Sequence, residues 1–362
     1  MPWVGQEEYE ALSSCFQINW ITEGPKSEEF RLKILEITGA KYGVLAPNGT
    51  LALYLALRSA GIGPGDEVIV PDFTFMGSAS SVEMAGARPV FVDVNRRNFQ
   101  IDLSNADHLV TEKTRGIMPV HIYGTSADMD HVMEFARRHN LLVVEDAAQA
   151  LGVHWKGKHA GTFGKTGAFS FFADKTVTTA EGGMILTDDP AVYDRLLFMR
   201  NQGRKDRGSF IHPEMGYNFR LTDLQAAVGL VQLSKLDRII ARKRELLKAY
   251  REALAGVSEI TIFEPEPGAD WIPFRFCIQS ERASRLMEYM KTRGIETRTY
   301  FYPLHRQPAF AYLKTGIDDR DFPNSILGYE QGVCLPMFPT LTNEQLAHVC
   351  RSIHDFFASA NV

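Results

Sequence analysis

Cysteine is scarce in this chain of 362 residues: there are four, at positions 15, 277, 334 and 350. They are far apart and include no CxxC pair, which argues against a disulfide framework and suits buried thiols in a reducing compartment. No run reaches 18 uncharged apolar residues, and the N-terminal MPWVGQEEYE has no basic stretch followed by an apolar one. Neither a membrane span nor a secretion signal is therefore expected, so the protein reads as cytoplasmic, and the sequon Asn48-Gly49-Thr50 reads as accidental. An excess of positive charge is also missing. The sum of 39 Lys and Arg against 44 Asp and Glu is −5, which gives no general reason to bind nucleic acid or an anionic membrane.

Familiar chemical signatures are absent as well. Gly61-Ile62-Gly63-Pro64-Gly65 precedes a strand pattern rather than following one, and its spacing is that of a turn. Gly164-Lys165-Thr166 looks like the end of a phosphate loop, but the leading glycine that such a loop needs falls on His159. There is no GxSxG elbow, and Cys334, His348, Cys350 and His354 lack the spacing of a zinc site.

A length of 362 residues implies about two domains, and 45% hydrophobic residues can fill a large core. Over residues 28–240, short β-branched runs at 67–70, 89–94, 116–120 and 141–147 alternate with helical patterns such as 50–59 and 129–140. Continuous apolar strands separated by helices predict a mostly parallel sheet covered on both faces. After the Thr222 cap a helical pattern continues for about thirty residues with a Lys/Arg-rich outer face. The remainder reads as a smaller α+β unit with strands around 271–278, a helix near 283–293 and a closing helix over 342–358. We therefore expect a large domain over 1–240 and a small one over 241–362, closely packed across the 264–268 loop.

Four segments carry chemistry. Asn48-Gly49-Thr50 opens a helix whose free N–H groups and hydroxyl can hold a phosphate. Strand 143–149 ends in Glu145-Asp146, placing a carboxylate at a sheet edge where ligands of open α/β proteins bind. Ser170 is followed five residues later by Lys175, and a lysine kept from water becomes a nucleophile toward aldehydes. Gly216-Tyr217-Asn218-Phe219-Arg220 sets an amide and a guanidinium before the long helix. Taken singly, each is equally well a helix cap or a surface group.

Their order is more specific. With Trp20-Ile21-Thr22-Glu23-Gly24-Pro25, the 63–71 segment, Glu145-Asp146-Ala147-Ala148-Gln149, Ser170-Phe171-Phe172, Glu181-Gly182-Gly183 and Tyr302-Pro303-Leu304-His305, the chain resembles the DegT/DnrJ/EryC1/StrS family of sugar aminotransferases over nearly its whole length. The resemblance implies an α/β, aspartate-aminotransferase-like fold (fold type I), with a mainly parallel mixed sheet in the large domain. It implies pyridoxal 5'-phosphate bound covalently at Lys175, Asp146 at the pyridine nitrogen, Phe75 stacked on the ring and Gln149 near the ring hydroxyl. Phosphate contacts fall to Gly49, Thr50, Ser170 and, from a neighbouring subunit, Asn218, so a homodimer with shared active sites is implied. Arg220 and His305 are candidates for substrate contact. The implied reaction is transfer of the amine of L-glutamate to a nucleotide-linked ketosugar for an O-antigen or related glycan. The 4-aminosugar branch is favoured, and GDP-4-keto-6-deoxymannose leads over UDP- or dTDP-linked sugars. A dehydratase or lyase, or a regulatory relative on the same scaffold, is the alternative. Two departures stand out: Ala180 where the family usually has glycine, and Asp174 where it often has asparagine.

Overall fold

Strands and helices alternate as the apolar pattern requires. In a computed structural model describing residues 2–204, 208, 210–313 and 318–359, two N-terminal helices, α1 (Gln6–Gln17) and α2 (Pro25–Thr38), precede β1 (Tyr42–Ala46). There follow α3 (Gly49–Ser59), β2 (Glu67–Pro71), α4 (Met76–Met84), β3 (Arg88–Val92), β4 (Thr114–Ile117), α5 (Met129–His139) and β5 (Leu142–Asp146). A short hairpin, β6 (His154–Trp155) with β7 (Lys158–His159), leads to β8 (Thr166–Ser170), β9 (Gly183–Thr187) and α6 (Pro190–Arg200).

Seven of these strands form one sheet in the order β1-β9-β8-β5-β4-β2-β3. The pairs from β3 through β8 are parallel, and β9 runs antiparallel to both neighbours. The sheet is thus mixed and mainly parallel, as expected. Alternation along β8 explains how both faces are filled: Ala168 packs into the layer of α3 and α6, while Phe169 packs into that of α2. The N-terminus of α2 is secured by Asp223, whose buried carboxylate accepts the N–H groups of Gly24, Lys26 and Ser27 at 2.8, 3.1 and 2.8 Å. Acceptors at that position satisfy donors that the first turn leaves unpaired.

The single long helix expected after Thr222 is two helices, α7 (Asp223–Ser234) and α8 (Leu236–Leu254). At the joint, Lys235 N–H bonds the Gln232 carbonyl three residues back, which tightens the turn. The Lys235 ammonium is held by Glu8 at 2.8 and 3.0 Å. The break therefore lies where α1 is anchored.

The C-terminal unit packs a sheet of β10 (Thr261–Ile262), β11 (Phe276–Gln279), β12 (Arg298–Thr299) and β13 (Gly332–Leu335), in the order β10-β11-β13-β12, against α8, α9 (Ala283–Thr292) and α11 (Asn343–Ala358), with α10 (Pro323–Gln331) leading into β13. Residues 271–275, expected to be strand, serve instead as a seam with the large sheet's side of the molecule. Ile272 and Phe274 donate their N–H groups to the carbonyls of Gly124 and Tyr123 at 2.9 and 3.2 Å. Gly124 has φ +80, and a Cβ there would lie 1.9 Å from the Ile272 carbonyl oxygen, so this approach requires glycine. Phe73, Tyr123, Phe263, Trp271 and Tyr300 form one apolar cluster across the seam. All four cysteines are buried free thiols. Among the described residues, no helix is long and apolar enough to cross a membrane.

Candidate active site

Because the strands β1, β2, β4, β5 and β8 point the same way, the segments leaving them converge at one edge of the sheet. Gly49 and Thr50 follow β1, Phe75 follows β2, His121 follows β4, Asp146 ends β5 and Ser170 ends β8. Together with Gln149, Lys175 and the small unit's Phe274, Arg275, Arg298 and Phe301, they line a cavity of about 700 Å³. That size accommodates a cofactor together with a substrate.

Lys175 enters the cavity from a tight turn in which its N–H bonds the Phe172 carbonyl at 3.0 Å. Its Nζ lies 4.6 Å from the centre of the Phe274 ring and 3.7 Å from Asp174 Oδ1. Burial pushes the Lys175 pKa down from its ordinary value and the Arg275 guanidinium lowers it further, against the pull of Asp174 and Asp146. Asp146 is buried, accepts a 2.7 Å hydrogen bond from the Ser78 hydroxyl and takes the Ala148 N–H at 3.1 Å. Burial raises its pKa even against those two bonds and the attraction of Lys175 and His121. A carboxyl in this state is matched to sharing a proton with a basic ring nitrogen.

Behind Asp146, Glu145 accepts the N–H groups of Gly161, Phe163 and Gly164 at 2.7, 2.6 and 2.7 Å. His121 Nε2 bonds the same carboxylate at 3.0 Å, while its Nδ1 accepts the Ala127 N–H at 3.2 Å. These two contacts assign the hydrogen to Nε2 and fix the ring that borders the cavity.

The anion end is built on α3. Asn48 caps the helix by accepting the Leu51 N–H at 2.9 Å, while the Gly49 and Thr50 N–H groups precede the first intrahelical bond. A Cβ on Gly49 would lie 2.8 Å from Ser170 Cβ and 3.1 Å from its Oγ, so glycine keeps open the space between the helix end and the serine hydroxyl. Gln149 uses its Oε1 to accept the Tyr123 N–H at 2.7 Å, which turns its amide nitrogen toward the cavity. An anion cradle, an amine kept from water and a buried carboxyl in one cavity are the groups that pyridoxal phosphate requires, and these residues fit it.

Not every expected residue is here. Arg220 does not line this cavity, and Asn218, expected to serve the site of a neighbouring subunit, is exposed and pairs with Asn201. His305 lies outside it too, buried and stacked 4.3 Å from the Phe322 ring, with Nδ1 2.7 Å from Asp72 and Nε2 3.0 Å from Asp319. This histidine ties Asp319 and its own turn to Asp72 at the end of β2 rather than facing the cavity. Conversely, Ser78, His121, Phe274, Arg275, Arg298 and Phe301 were given no site role from the sequence, although His121 lies in the Pro119-Val120-His121-Ile122-Tyr123-Gly124 segment that is part of the family resemblance. His121 carried a signal, being a polar group directly after an apolar strand. The others did not, because they come from helix interiors and from the distant small unit.

The DegT/DnrJ/EryC1/StrS aminotransferase family profile matches residues 2–354. GDP-perosamine synthase of Escherichia coli O157:H7 is 38% identical, covering 97% of this chain and 96% of its own. Among solved structures, DesV of S. venezuelae is similar at 34% identity and a TM-score of 0.91, covering 97% of this chain and 94% of that one. The protein Spr1654 of Streptococcus pneumoniae, in its PLP form, is similar at 27% identity and a TM-score of 0.90, covering 97% and 96%.

Proposed function

Because the chain belongs to the DegT/DnrJ/EryC1/StrS aminotransferase family, and is thus a sugar aminotransferase that depends on pyridoxal phosphate, we propose that it moves the amine of L-glutamate onto a nucleotide-linked 4-keto-6-deoxy sugar. GDP-4-keto-6-deoxymannose is the leading substrate, and the product is an aminosugar for an O-antigen or a related glycan. The observation that carries the reading is the meeting of Lys175 and Asp146 in the cavity that also holds the Gly49, Thr50 and Ser170 anion cradle. GDP-perosamine synthases at 38, 36 and 33% identity support the GDP-linked, 4-amino choice.

When bound, pyridoxal phosphate supplies an electron-accepting ring that stabilises negative charge on the carbon bearing the amine. Asp146 holds the proton on the ring nitrogen, and Ser78 and the Ala148 N–H keep its carboxylate aimed there. Lys175 is the amine that would hold the cofactor, and it would serve as the base that moves a proton between the amine-bearing carbon and the carbon across the nitrogen. Its lowered pKa supports that role, since a fully charged ammonium cannot accept a proton. Phe274 shields the Lys175 amine from water, while Phe75 would cover the ring and the α3 N–H groups with Thr50 and Ser170 would hold the phosphate.

The working form is a homodimer in the cytoplasm, with Asn218 reaching the phosphate of the neighbouring subunit and Arg220 set beside it. The exposure of Phe172, Phe210 and Met215 supports an apolar contact with a partner, and buried free thiols suit a reducing compartment. The chain divides near residue 240 into a cofactor-binding unit and a smaller unit that contributes Arg275 and Arg298 to the substrate end. The test is a panel of GDP-, UDP- and dTDP-linked 3- and 4-ketosugars incubated with glutamate and the purified enzyme, with the amino product read by mass spectrometry. Reaction with 3-keto sugars alone, or with no ketosugar, would end this assignment.

A further inference from the structure

A second lysine is buried behind the first. In α8 the core-facing stripe runs Leu236, Ile239, Lys243, Leu246, Tyr250 and Leu254, so Lys243 occupies a position that the helical period reserves for an apolar side chain. It is 3% exposed, and its Nζ has the Thr176 hydroxyl at 3.0 Å but, among the described residues, no carboxylate within ion-pair distance. Thr176 is the residue next to Lys175. A separate cavity of about 30 Å³, room for one water, is bordered by Asp174, Lys175, Thr176, Lys243 and Arg275.

The charges around that cavity do not balance. Lys175, Lys243 and Arg275 face a single acid, Asp174, and one of its oxygens, Oδ2, is already committed to Arg275 at 2.7 Å. Its other oxygen, Oδ1, is buried and has no hydrogen-bond partner. Asp174, Thr176 and the two lysines are the polar residues that could partner a water there. The other bordering groups, from Pro2, Trp3, Gln232 and Met337 to Pro339, carry no charge. Two ammonium groups and a guanidinium beside one carboxylate out of water repel one another, which favours loss of a proton from the lysine pair. Asp174 and Asp146 both favour the charge on Lys175, whereas Asp174 alone favours it on Lys243. Its pKa falls to about 7, through burial first and then the like charges of Arg275 and Lys175, which Asp174 only partly offsets.

We propose that Lys243 is the internal proton acceptor for Lys175, taking through a single water the proton that the Lys175 ammonium must lose before its nitrogen can bond to carbon. One N–H bond breaks on Lys175 and one forms on Lys243, the charge of the pair stays at one, and no electrons are exchanged. Lys243 is a positioning residue that acts only through Lys175. The inference rests on the reading of Lys175 as the lysine that attaches pyridoxal phosphate.

The experiment follows the rate at which full-length protein, stripped of cofactor, develops the absorbance of the covalent adduct when pyridoxal phosphate is added between pH 6 and 9. Lys243→Met should attach it about tenfold more slowly at pH 7, with the pH profile moved about one unit to the alkaline side. Lys243→His should recover most of the rate, because a neutral imidazole accepts a proton in this range. Lys243→Arg fills the space with a permanently charged group that cannot accept a proton, so it should be as slow as the Met variant; it carries the test if the Met variant does not fold. A Met variant with the wild-type profile, or an Arg variant as fast as wild type, overturns the proposal. Absence of any adduct in the wild type would instead remove the reading of Lys175, so the two failures are distinguishable.

Discussion

The anion cradle makes a quantitative prediction at Gly49. In Gly49→Ala the new Cβ lies 2.8 Å from Ser170 Cβ, against a favourable carbon separation of roughly 3.5–4.0 Å. Ser170 cannot simply withdraw, since it closes the β8 ladder opposite Gly183, and its Cα is itself only 3.6 Å from the added atom. The start of α3 must shift instead, or the serine hydroxyl must rotate away. Either movement removes at least one hydrogen bond to a dianion, worth about 1.5–3 kcal/mol. Cofactor affinity should therefore fall roughly 10- to 150-fold. The assay titrates the stripped protein with pyridoxal phosphate and, separately, with pyridoxal, which lacks the phosphate. Only the phosphorylated form should lose affinity, and the urea midpoint should stay within the range expected for a local clash. Equal losses for both compounds would show that Gly49 serves the fold rather than the phosphate, and no loss for either would refute the cradle.

Three further outcomes are expected. Lys175→Ala should fold with an unchanged circular dichroism spectrum, yet develop no adduct absorbance with pyridoxal phosphate; retained absorbance would move the attachment to another lysine. Burial opposes the His305 charge, but Asp72 and Asp319 overcome this and raise its pKa, so the folded state holds its proton more tightly than the unfolded one. That stability is complete below an unfolded value of about 6.5 and is lost as pH rises through the folded value. The urea midpoint should fall between pH 6 and 9 less steeply in His305→Asn than in wild type, and parallel slopes would refute the coupling. Ala180 has φ +69, a conformation that costs a non-glycine residue on the order of 1 kcal/mol, so Ala180→Gly should raise the urea midpoint slightly or leave it unchanged. A clear drop would show that the methyl group contributes packing that outweighs its strain.

Much of this protein is determined locally. The apolar runs and their helical spacers specify a mainly parallel, doubly covered sheet, because strands such as Leu142–Asp146 are buried on both faces and need no alternation. Helix caps at Asn48, Thr222 and Thr342 follow from short-range hydrogen bonding and can be read from a few adjacent residues. Lys175, Asp146, Gly49, Thr50 and Ser170 were visible for a related reason: each lies at or just beyond the end of an element, and parallel strands bring such ends to one edge.

What the chain could not reveal in one dimension depends on packing between distant segments. The joint at Lys235 is set by Glu8, 227 positions away, and the seam that removes residues 271–275 from the second sheet is set by Gly124. His305 lies in the Tyr302-Pro303-Leu304-His305 segment that carries part of the family resemblance, yet Asp72 draws it into the interior. Lys243 was overlooked among the many basic residues of its helix, although the helical period sets it on the apolar stripe. Burial and electrostatic partners are properties of the assembled molecule, and only the folded chain decides which amines lose their water.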